Sequence, residues 1–258
     1  MKSRQLQVDL NCDMGEIPEA IADGTQEALM RSITSANVAC GGHAGDEQTM
    51  RATIQQALRA GVAIGAHPGY ADRENFGRLE LKLSAPEVAE SVFRQVRALA
   101  QVAASCCAPV VHVKPHGALY NQAVRNRELA SAIADGVARW RRDVVLVGLA
   151  GSPMLEAFRE AGFTVAAEAF ADRRYEPDGT LRSRKLDDAL IRDPKEAARQ
   201  ALGMVERCVV TASDGSEVAV AAQTICIHGD TPGATNIAAA VARLLREAGV
   251  TLQGLSRS

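Results

Sequence analysis

The stretch from Val110 to Asn121, VVHVKPHGALYN, is a short apolar, strand-like run that ends among ionisable side chains. Four other runs end in the same way, and they read VDLNCDMGE (8–16), SANVACGGHAGD (35–46), VAIGAHPGY (62–70) and TICIHGDTPGA (224–234). These five stretches contain all five histidines of the chain. In α/β proteins the ligand crevice lies at the carboxyl ends of the parallel strands. The pattern therefore predicts a parallel sheet with an active site at one end.

Apolar runs rich in β-forming residues alternate along the chain with longer segments of helical period. The predicted strands are Leu6–Asn11, Ser35–Ala39, Val62–Ala66, Val110–Lys114, Val144–Gly148, Phe163–Ala167 and Thr224–Ile227. The predicted helices are Thr25–Ile33, Glu47–Ala60, Pro86–Ala104, Arg127–Arg141, Pro153–Ala161, Pro194–Cys208 and Thr235–Ala248. Seven successive βα units favour a parallel sheet with helices outside it. We predict a single α/β domain over residues 1–258, a (β/α) barrel of seven strands. Alternation alone does not separate seven strands from eight, and an open doubly wound sheet is the second choice.

Two segments before the last predicted strand break the alternation. Residues 209–220, VVTASDGSEVAV, predict a β-hairpin that turns at Asp214-Gly215. The charged link Phe170–Arg192 predicts an active-site loop rather than a domain linker.

The composition argues against several classes of function. With 258 residues, of which 47% are hydrophobic, the chain can bury one large core. A net charge of −2 without a basic cluster argues against nucleic-acid binding. No apolar stretch reaches the roughly 20 residues that span a bilayer, and no signal peptide is evident, so we expect a cytoplasmic protein. The six cysteines lack zinc-ligand spacing, and we expect them to be buried free thiols.

Acidic and amide side chains end the first strand. Alternation places Asp9 and Asn11 on one face, and Asp13 continues that line. Carboxylates and an amide in this arrangement suit a divalent cation, or a general base with its orienting partners. The alternative is that Asp13 and Glu16 cap a helix or are solvated in a loop.

Histidines and a lysine follow the next strands. His43 follows Gly41-Gly42, His67 precedes Pro68-Gly69, and Asp46 either joins the site or caps the helix that begins at Glu47. His112, Lys114 and His116 share one face of the fourth strand. A buried lysine between histidines is expected to have a lowered pKa, to hold an anion, or to form a salt bridge with Asp9 or Glu168.

The last two strands end in basic and hydroxyl groups. Glu168 follows the sixth strand, and Arg173 and Arg184 lie in the loop after it, where they could bind a carboxylate or phosphate or remain on a solvated surface. His228, Asp230 and Thr231 precede the last helix, where a helix N-terminus and glycines suit a phosphate.

The motifs DLNCDMGE, SANVACGGHAGD, GAHPGY, HVKPHGALYN, EAFADRRY and HGDTP cover almost the whole chain in this order, and together they resemble the LamB/YcsF family. The resemblance implies a seven-stranded (β/α) barrel similar to glycoside-hydrolase and polysaccharide-deacetylase folds. It also implies the 5-oxoprolinase reaction, the ATP-dependent opening of 5-oxoproline to L-glutamate, in which the family supplies the A subunit and acts with partner subunits B and C. The chain departs from the family pattern at Gly42 and Ala71, where we expect an aromatic residue and a proline.

From these motifs we assign roles as hypotheses. The candidate catalytic residues are Asp13, His67, Lys114, His116 and His228. The candidates for binding substrate or phosphate are Asn11, His43, His112, Glu168, Arg173, Arg184, Asp230 and Thr231. The candidate ligands for a divalent metal, Mg²⁺ or Zn²⁺, are Asp13, His43 and His67, and ATP is the expected cofactor. Two other functions remain open, a metal-dependent amide or ester hydrolase that acts alone, and a non-catalytic subunit that binds the substrate.

Overall fold

The computed structural model describes residues 6–257 and contains a closed parallel barrel. Its strands are β1 (Gln7–Met14), β2 (Ser35–Ala39), β3 (Ala63–His67), β4 (Val110–Val113), β5 (Val145–Leu149), β6 (Thr164–Phe170) and, after a hairpin, β9 (Thr224–Cys226). Each strand pairs with the next in parallel, and β9 closes the ring by pairing with both β6 and β1. The predicted seven-stranded (β/α) barrel is confirmed.

Helices connect the strands on the outside of the barrel. They are α1 (Pro18–Ala22), α2 (Thr25–Met30), α3 (Glu47–Ala60), α4 (Ala85–Ser105), α5 (Gly117–Arg125), α6 (Arg127–Ala138), α7 (Pro153–Glu160), α8 (Pro194–Glu206) and α9 (Ala234–Glu247). Helices α1 and α5 were not predicted, and α5 begins directly after Pro115 and His116 at Gly117, a proline- and glycine-containing stretch that is typical of loops. Asp46 caps α3 by accepting a hydrogen bond from the Thr49 N–H at 2.8 Å, so this residue serves the helix rather than the site.

The predicted hairpin before the last barrel strand is confirmed. Strands β7 (Val209–Thr211) and β8 (Glu217–Ala219) pair antiparallel, and Gly215 in the turn has a φ of 87°, which favours glycine. A short strand, β10 (Thr251–Leu252), was not predicted, and it pairs with the start of β1.

Strand β1 ends three residues later than predicted, at Met14 rather than Asn11. Asn11–Met14 remain in the sheet because they pair with Ser35–Val38 of β2. The polar end of the first strand is therefore held rigidly in the barrel wall rather than in a loop.

Polar groups lie inside the barrel as well as apolar ones. Asp9 is buried and accepts hydrogen bonds from the hydroxyls of Thr34, Ser35 and Thr224 at 2.6, 2.7 and 2.5 Å. Asp9, one of the two predicted partners of Lys114, is thus satisfied by hydroxyls. At Gly65 a Cβ atom would lie 2.0 Å from the His112 ring, so the absence of a side chain there lets the imidazole enter the barrel.

The expectation of buried thiols is correct for Cys12, Cys40 and Cys226 and wrong for Cys107 and Cys208, which are exposed. Both exposed cysteines follow helix ends and have positive φ angles, so they lie on turns outside the core. Within residues 6–257, none of the helices has both the length and the apolar character that crossing a membrane requires.

Candidate active site

A cavity of about 950 Å³ opens at the carboxyl ends of the barrel strands. The predicted site residues that line it are Asp13, His67, Lys114, His116, Arg173, Arg184, His228 and Asp230. The predicted site residues that lie outside its lining are Asn11, His43, His112, Glu168 and Thr231. The structure thus brings together the ionisable ends of strands that are more than two hundred residues apart in sequence.

Lys114 lies at the centre of the cavity floor. Its Nζ is 3.0 Å from Asp13 Oδ1, 2.9 Å from Glu168 Oε1 and 3.2 Å from Asn11 Oδ1. Burial lowers the pKa of Lys114, but the carboxylates of Asp13 and Glu168 outweigh burial and raise it well above 10.5. The expected lowered pKa is therefore wrong, and the side chain is a permanent cation. The alternative salt bridge to Glu168 is present.

Below Lys114, a buried chain of hydrogen bonds joins the amides and His112. The His112 Nε2–H donates to Asn37 Oδ1 at 2.8 Å, and Asn37 Nδ2 donates to Asn11 Oδ1 at 2.7 Å. Asn11 Nδ2 in turn donates to Glu168 Oε1 at 3.1 Å. Burial, followed by the charge of Lys114, lowers the pKa of His112 to about 3, so this ring is neutral. These groups fix the floor from beneath and do not face the cavity.

Three imidazoles and one carboxylate, which we name the histidine cluster (Glu16, His43, His67 and His116), lie together at one wall of the cavity, with His43 behind the lining. Its donor atoms all lie within 4.8 Å of one another. His43 Nε2 is 2.9 Å from Glu16 Oε1, and His67 Nε2 is 3.0 Å from His116 Nδ1. Imidazole and carboxylate donors at such separations can hold a divalent metal ion. Of the predicted metal ligands, His43 and His67 belong to this cluster, and Asp13 lies beside it, with Oδ2 3.3 Å from His67 Nε2.

The pKa values of the three imidazoles in the histidine cluster are shifted in different directions. Burial, followed by the charge of His67, lowers the pKa of His116 to about 3, and burial likewise lowers that of His43 to about 3. Burial also lowers the pKa of His67, but Asp13 outweighs this and the net shift is upward. His67 is therefore the ring where positive charge is favoured.

The opposite wall holds a carboxylate–imidazole pair. Asp172 is fully buried and accepts hydrogen bonds from His228 Nδ1 at 2.9 Å, from the His228 backbone N–H at 3.0 Å and from Thr231 Oγ1 at 2.7 Å. Burial raises the pKa of Asp172, but the charge and hydrogen bonds of His228 outweigh burial and lower it. A carboxylate only accepts hydrogen bonds, so the neutral ring takes the tautomer with its proton on Nδ1 and its lone pair on Nε2. Thr231 supports this pair from outside the cavity lining.

Arginines surround the mouth of the cavity. Arg78 and Arg184, from different loops, both form ion pairs with Asp230. Arg173 is buried, and its Nη2 donates to the Arg182 carbonyl oxygen at 2.6 Å. Within residues 6–257 its Nε has no hydrogen-bond partner and its guanidinium has no ion pair. Burial, followed by the charge of Arg184, lowers the pKa of Arg173 to about 10. This wall can therefore accept an anion.

Three groups at the site were not among the sequence candidates. Glu16 belongs to the DMGE motif, and Asp172 belongs to the EAFADRRY motif, so both could have been found as acidic residues next to strand ends. Arg78 lies in a loop without a motif, and only the structure brings it to Asp230.

A sequence profile of the LamB/YcsF family matches residues 8–258. The chain belongs to the LamB/YcsF family. It is 49% identical over 248 residues to the A subunit of 5-oxoprolinase from Chloroflexus aggregans, a match that covers 96% of this chain and 98% of the relative. It is 47% identical over 246 residues to the A subunit of 5-oxoprolinase from Bordetella pertussis, covering 95% and 98% of the two chains.

The crystal structure of a relative supports the fold of this LamB/YcsF protein. The lactam utilization protein from Thermus thermophilus superposes with a TM-score of 0.90 at 44% identity, over 96% of this chain and 100% of that one. The family resemblance seen in the sequence is thereby confirmed.

Gly42, where the family pattern has an aromatic residue, lies against the side chain of Gln95. A Cβ at this position would lie 2.3 Å from Gln95 Oε1. Gln95 occupies the space and binds both backbone polar groups of Gly69, at 3.0 Å to the N–H and 2.7 Å to the carbonyl oxygen. In this LamB/YcsF protein a glutamine thus supports the turn after β3, and an aromatic side chain at position 42 would displace it.

Proposed function

We propose that this chain is the A subunit of a 5-oxoprolinase. In this proposal it opens 5-oxoproline to L-glutamate at the expense of ATP, together with partner subunits B and C. The full-length similarity to relatives that are named as the A subunit of 5-oxoprolinase supports the reaction, and their description as subunits supports the need for partners.

The reaction sets clear demands on the site. A five-membered lactam is a poor electrophile, so the carbonyl oxygen first takes the γ-phosphoryl group of ATP and ADP leaves. Water then adds to the activated carbon, the ring C–N bond breaks, and the nitrogen takes a proton. A second water releases phosphate and leaves the new carboxylate. The site must bind the substrate carboxylate, stabilise phosphoryl charge and move protons.

Arg173 and Arg184 fit the first demand. Arg173 is a buried cation that lines the cavity and forms no ion pair within residues 6–257, so a carboxylate or phosphate could pair with its guanidinium. Arg184 stands at the mouth, where it is paired with Asp230 at 3.4 Å and can exchange this partner for a ligand anion.

Lys114 and His228 fit the other demands. Lys114 keeps its positive charge at the floor, where it would stabilise negative charge that develops on the lactam or phosphoryl oxygens. His228 has Nδ1 held by Asp172, so its Nε2 can accept a proton from water and return it to the ring nitrogen. Asp13, 3.0 Å from Lys114, fixes the ammonium and borders the histidine cluster.

The observation that carries the proposal is the convergence in one cavity of a buried unpaired arginine, a permanent lysine cation and an oriented imidazole. The test is glutamate formation from 5-oxoproline by this chain mixed with subunits B and C, with and without ATP. Lys114→Met and His228→Gln should each lower turnover by at least about 10²-fold. Lys82→Met, on an exposed loop, is the matched control and should not change it.

The histidine cluster favours a second candidate, a metal-dependent amide hydrolase that acts alone. The same assay separates the two. Ring opening by the purified chain without nucleotide or partners would support the second candidate and contradict the first.

A further inference from the structure

We propose that Glu16, His67 and His116 bind a divalent metal ion of the zinc class at the cavity wall, and that His43 orients the carboxylate ligand. This inference does not depend on the 5-oxoprolinase reaction, because it concerns an ion that the chain itself would hold. It also revises the ligand set suggested by the sequence, which was Asp13, His43 and His67.

The outer hydrogen bonds of two rings determine where their lone pairs point. His67 Nδ1 is 2.8 Å from the Lys114 carbonyl oxygen, and His116 Nε2 is 2.9 Å from the Phe76 carbonyl oxygen. A carbonyl oxygen only accepts hydrogen bonds, so both of these nitrogens carry protons. Such a second bond to a carbonyl is typical of metal-binding histidines. In the neutral rings, His67 Nε2 and His116 Nδ1 therefore present lone pairs to the cluster.

These two lone pairs face each other at 3.0 Å. A proton on His67 Nε2, which Asp13 favours from 3.3 Å, makes this contact an N–H···N hydrogen bond. A metal ion would displace that proton and bind both lone pairs from the same place. Both nitrogens belong to buried rings, so water cannot readily take that place.

The carboxylate distinguishes the proton from the metal ion. Glu16 Oε1 lies 3.3 Å from His116 Nδ1 and 3.8 Å from His67 Nε2. Ligand atoms around a tetrahedral zinc ion, with bonds of about 2.0–2.1 Å, lie about 3.3–3.4 Å apart. The two nitrogens and the oxygen thus form a triangle close to one face of such a tetrahedron. A shared proton would join only two of these atoms, whereas a metal ion uses all three.

His43 has a different role because of the orientation of its ring. The rings of His43 and His116 are stacked, with centroids 3.6 Å apart and an interplanar angle of 5°. An imidazole binds a metal ion in its own plane, so two stacked rings cannot both point at one ion. His43 Nε2 instead donates to Glu16 Oε1 at 2.9 Å. This bond fixes the carboxylate, as outer partners of metal ligands commonly do.

The three ligand atoms determine which metal ion the site favours, and their position in the cavity determines what that ion could do chemically. Two imidazoles and one carboxylate favour zinc and similar transition metals over Mg²⁺, which prefers oxygen ligands. Three protein ligands leave a coordination position open, as in catalytic zinc sites. All three ligands line the cavity, so the open position faces it. An ion here would polarise a carbonyl oxygen of the substrate or lower the pKa of a bound water.

The experiment measures metal binding on the full chain and needs no activity. The purified protein is stripped with a chelator and titrated with Zn²⁺ by calorimetry, and Co²⁺ is then bound so that its visible absorption reports the coordination. Wild type should bind one Zn²⁺ per chain. His116→Gln and Glu16→Gln should each weaken binding by more than about 100-fold, and His43→Ala by about 10- to 100-fold. Circular dichroism checks that each variant is folded, and Glu16→Gln, which keeps an acceptor for His43, guards against a folding failure.

His228→Gln is the matched control, because it removes an imidazole that lines the same cavity but lies outside the proposed ligand set. It should keep the Zn²⁺ affinity while losing turnover. The absence of saturable binding in wild type, or binding retained by both His116→Gln and Glu16→Gln, overturns the proposal. Loss of binding in His228→Gln overturns it too, since the ion would then lie on the group of Asp13, Cys226 and His228. A chain that binds Zn²⁺ but shows no ATP-dependent ring opening contradicts only the proposed function.

Discussion

The ammonium of Lys114, at the end of β4, lies 2.9 Å from the carboxylate of Glu168 on β6, and the two side chains are 4% and 0% exposed. Asp13 from β1 approaches the same nitrogen at 3.0 Å. One buried cation thus links three strands across the barrel end. Asp13 and Glu168 are both buried, and a buried charge without a partner is energetically costly. The ammonium of Lys114 therefore stabilises both carboxylates.

The first prediction is that Lys114→Met destabilises the fold strongly. The free energy of unfolding, measured by urea denaturation, should fall by about 3–5 kcal/mol because Asp13 and Glu168 lose their shared cation. The double variant Lys114→Met with Glu168→Gln should recover part of the loss, since one unpaired charge is removed. Lys82→Met should stay within about 0.5 kcal/mol of wild type. A loss below about 1 kcal/mol in the single variant would show that the three-strand link does not contribute in this way.

The barrel could be predicted because the same sequence pattern, an apolar run followed by a helical segment, occurs seven times. Seven apolar runs, each followed by a helical segment, fix the order and direction of the strands, and the histidines mark their carboxyl ends. Strand β10 was missed because 2 residues carry too little periodicity, and α5 was missed because it begins at Gly117 inside a proline- and glycine-containing motif.

Most of the residues that line the cavity could be identified from the sequence, and the placements that could not have physical causes. Alternation gives the face of a strand but not the depth in the barrel, so His112 and Glu168 were assigned to ligand binding although they lie at its floor. Gly15, with a φ of 74°, turns the chain after β1 and brings Glu16 to the histidines, which no period of two would predict. Asp172 lies in the loop beyond β6, where its pairing with His228 is a tertiary contact.

The second prediction concerns the Asp172–His228 pair as a positioning device. Asp172→Asn should lower kcat of the complex with subunits B and C by about 10²–10⁴-fold, because the amide no longer holds His228 with Nδ1 protonated. KM should change much less, since Asp172 lies outside the cavity lining. Asp135→Asn, exposed on α6, is the control. An unchanged kcat, or a fall explained fully by unfolding, would argue against the positioning role.

The third prediction is a pH dependence of stability. The pKa of folded Asp172 is lowered, so in the folded state this group binds a proton less readily than in the unfolded chain. Its stabilising contribution is therefore complete above the unfolded pKa of about 3.9 and is lost as pH falls through the lower folded value.

The stability difference between wild type and Asp172→Asn should consequently shrink on acidification. Urea denaturation of both proteins from about pH 6 to about pH 3 measures it. A difference that stays constant or grows over this range would mean that the folded carboxylate has no depressed pKa.

The fourth prediction is that Arg173 binds an anion of the substrate or of ATP. Arg173 is buried, its Nε has no hydrogen-bond partner within residues 6–257, and the residue lines the cavity. A hydrogen bond to a charged group contributes roughly 1.5–3 kcal/mol, which corresponds to about 10- to 150-fold in affinity. Arg173→Met should therefore raise one KM of the assembled enzyme by that factor, and measuring KM for 5-oxoproline and for ATP separately identifies which anion is bound.

A second readout separates ligand binding from a purely structural role. Arg173 also holds the Arg182 carbonyl oxygen at 2.6 Å, so its removal can loosen the loop without any ligand. Inorganic phosphate should raise the melting temperature of wild type and of the control Arg199→Gln, which alters an exposed arginine on α8, but not that of Arg173→Met. Arg173→Lys, which keeps the charge and loses the forked geometry, should recover only part of the phosphate effect. Equal stabilisation of all four proteins by phosphate, with both KM values unchanged, would place the anion site elsewhere in the cavity.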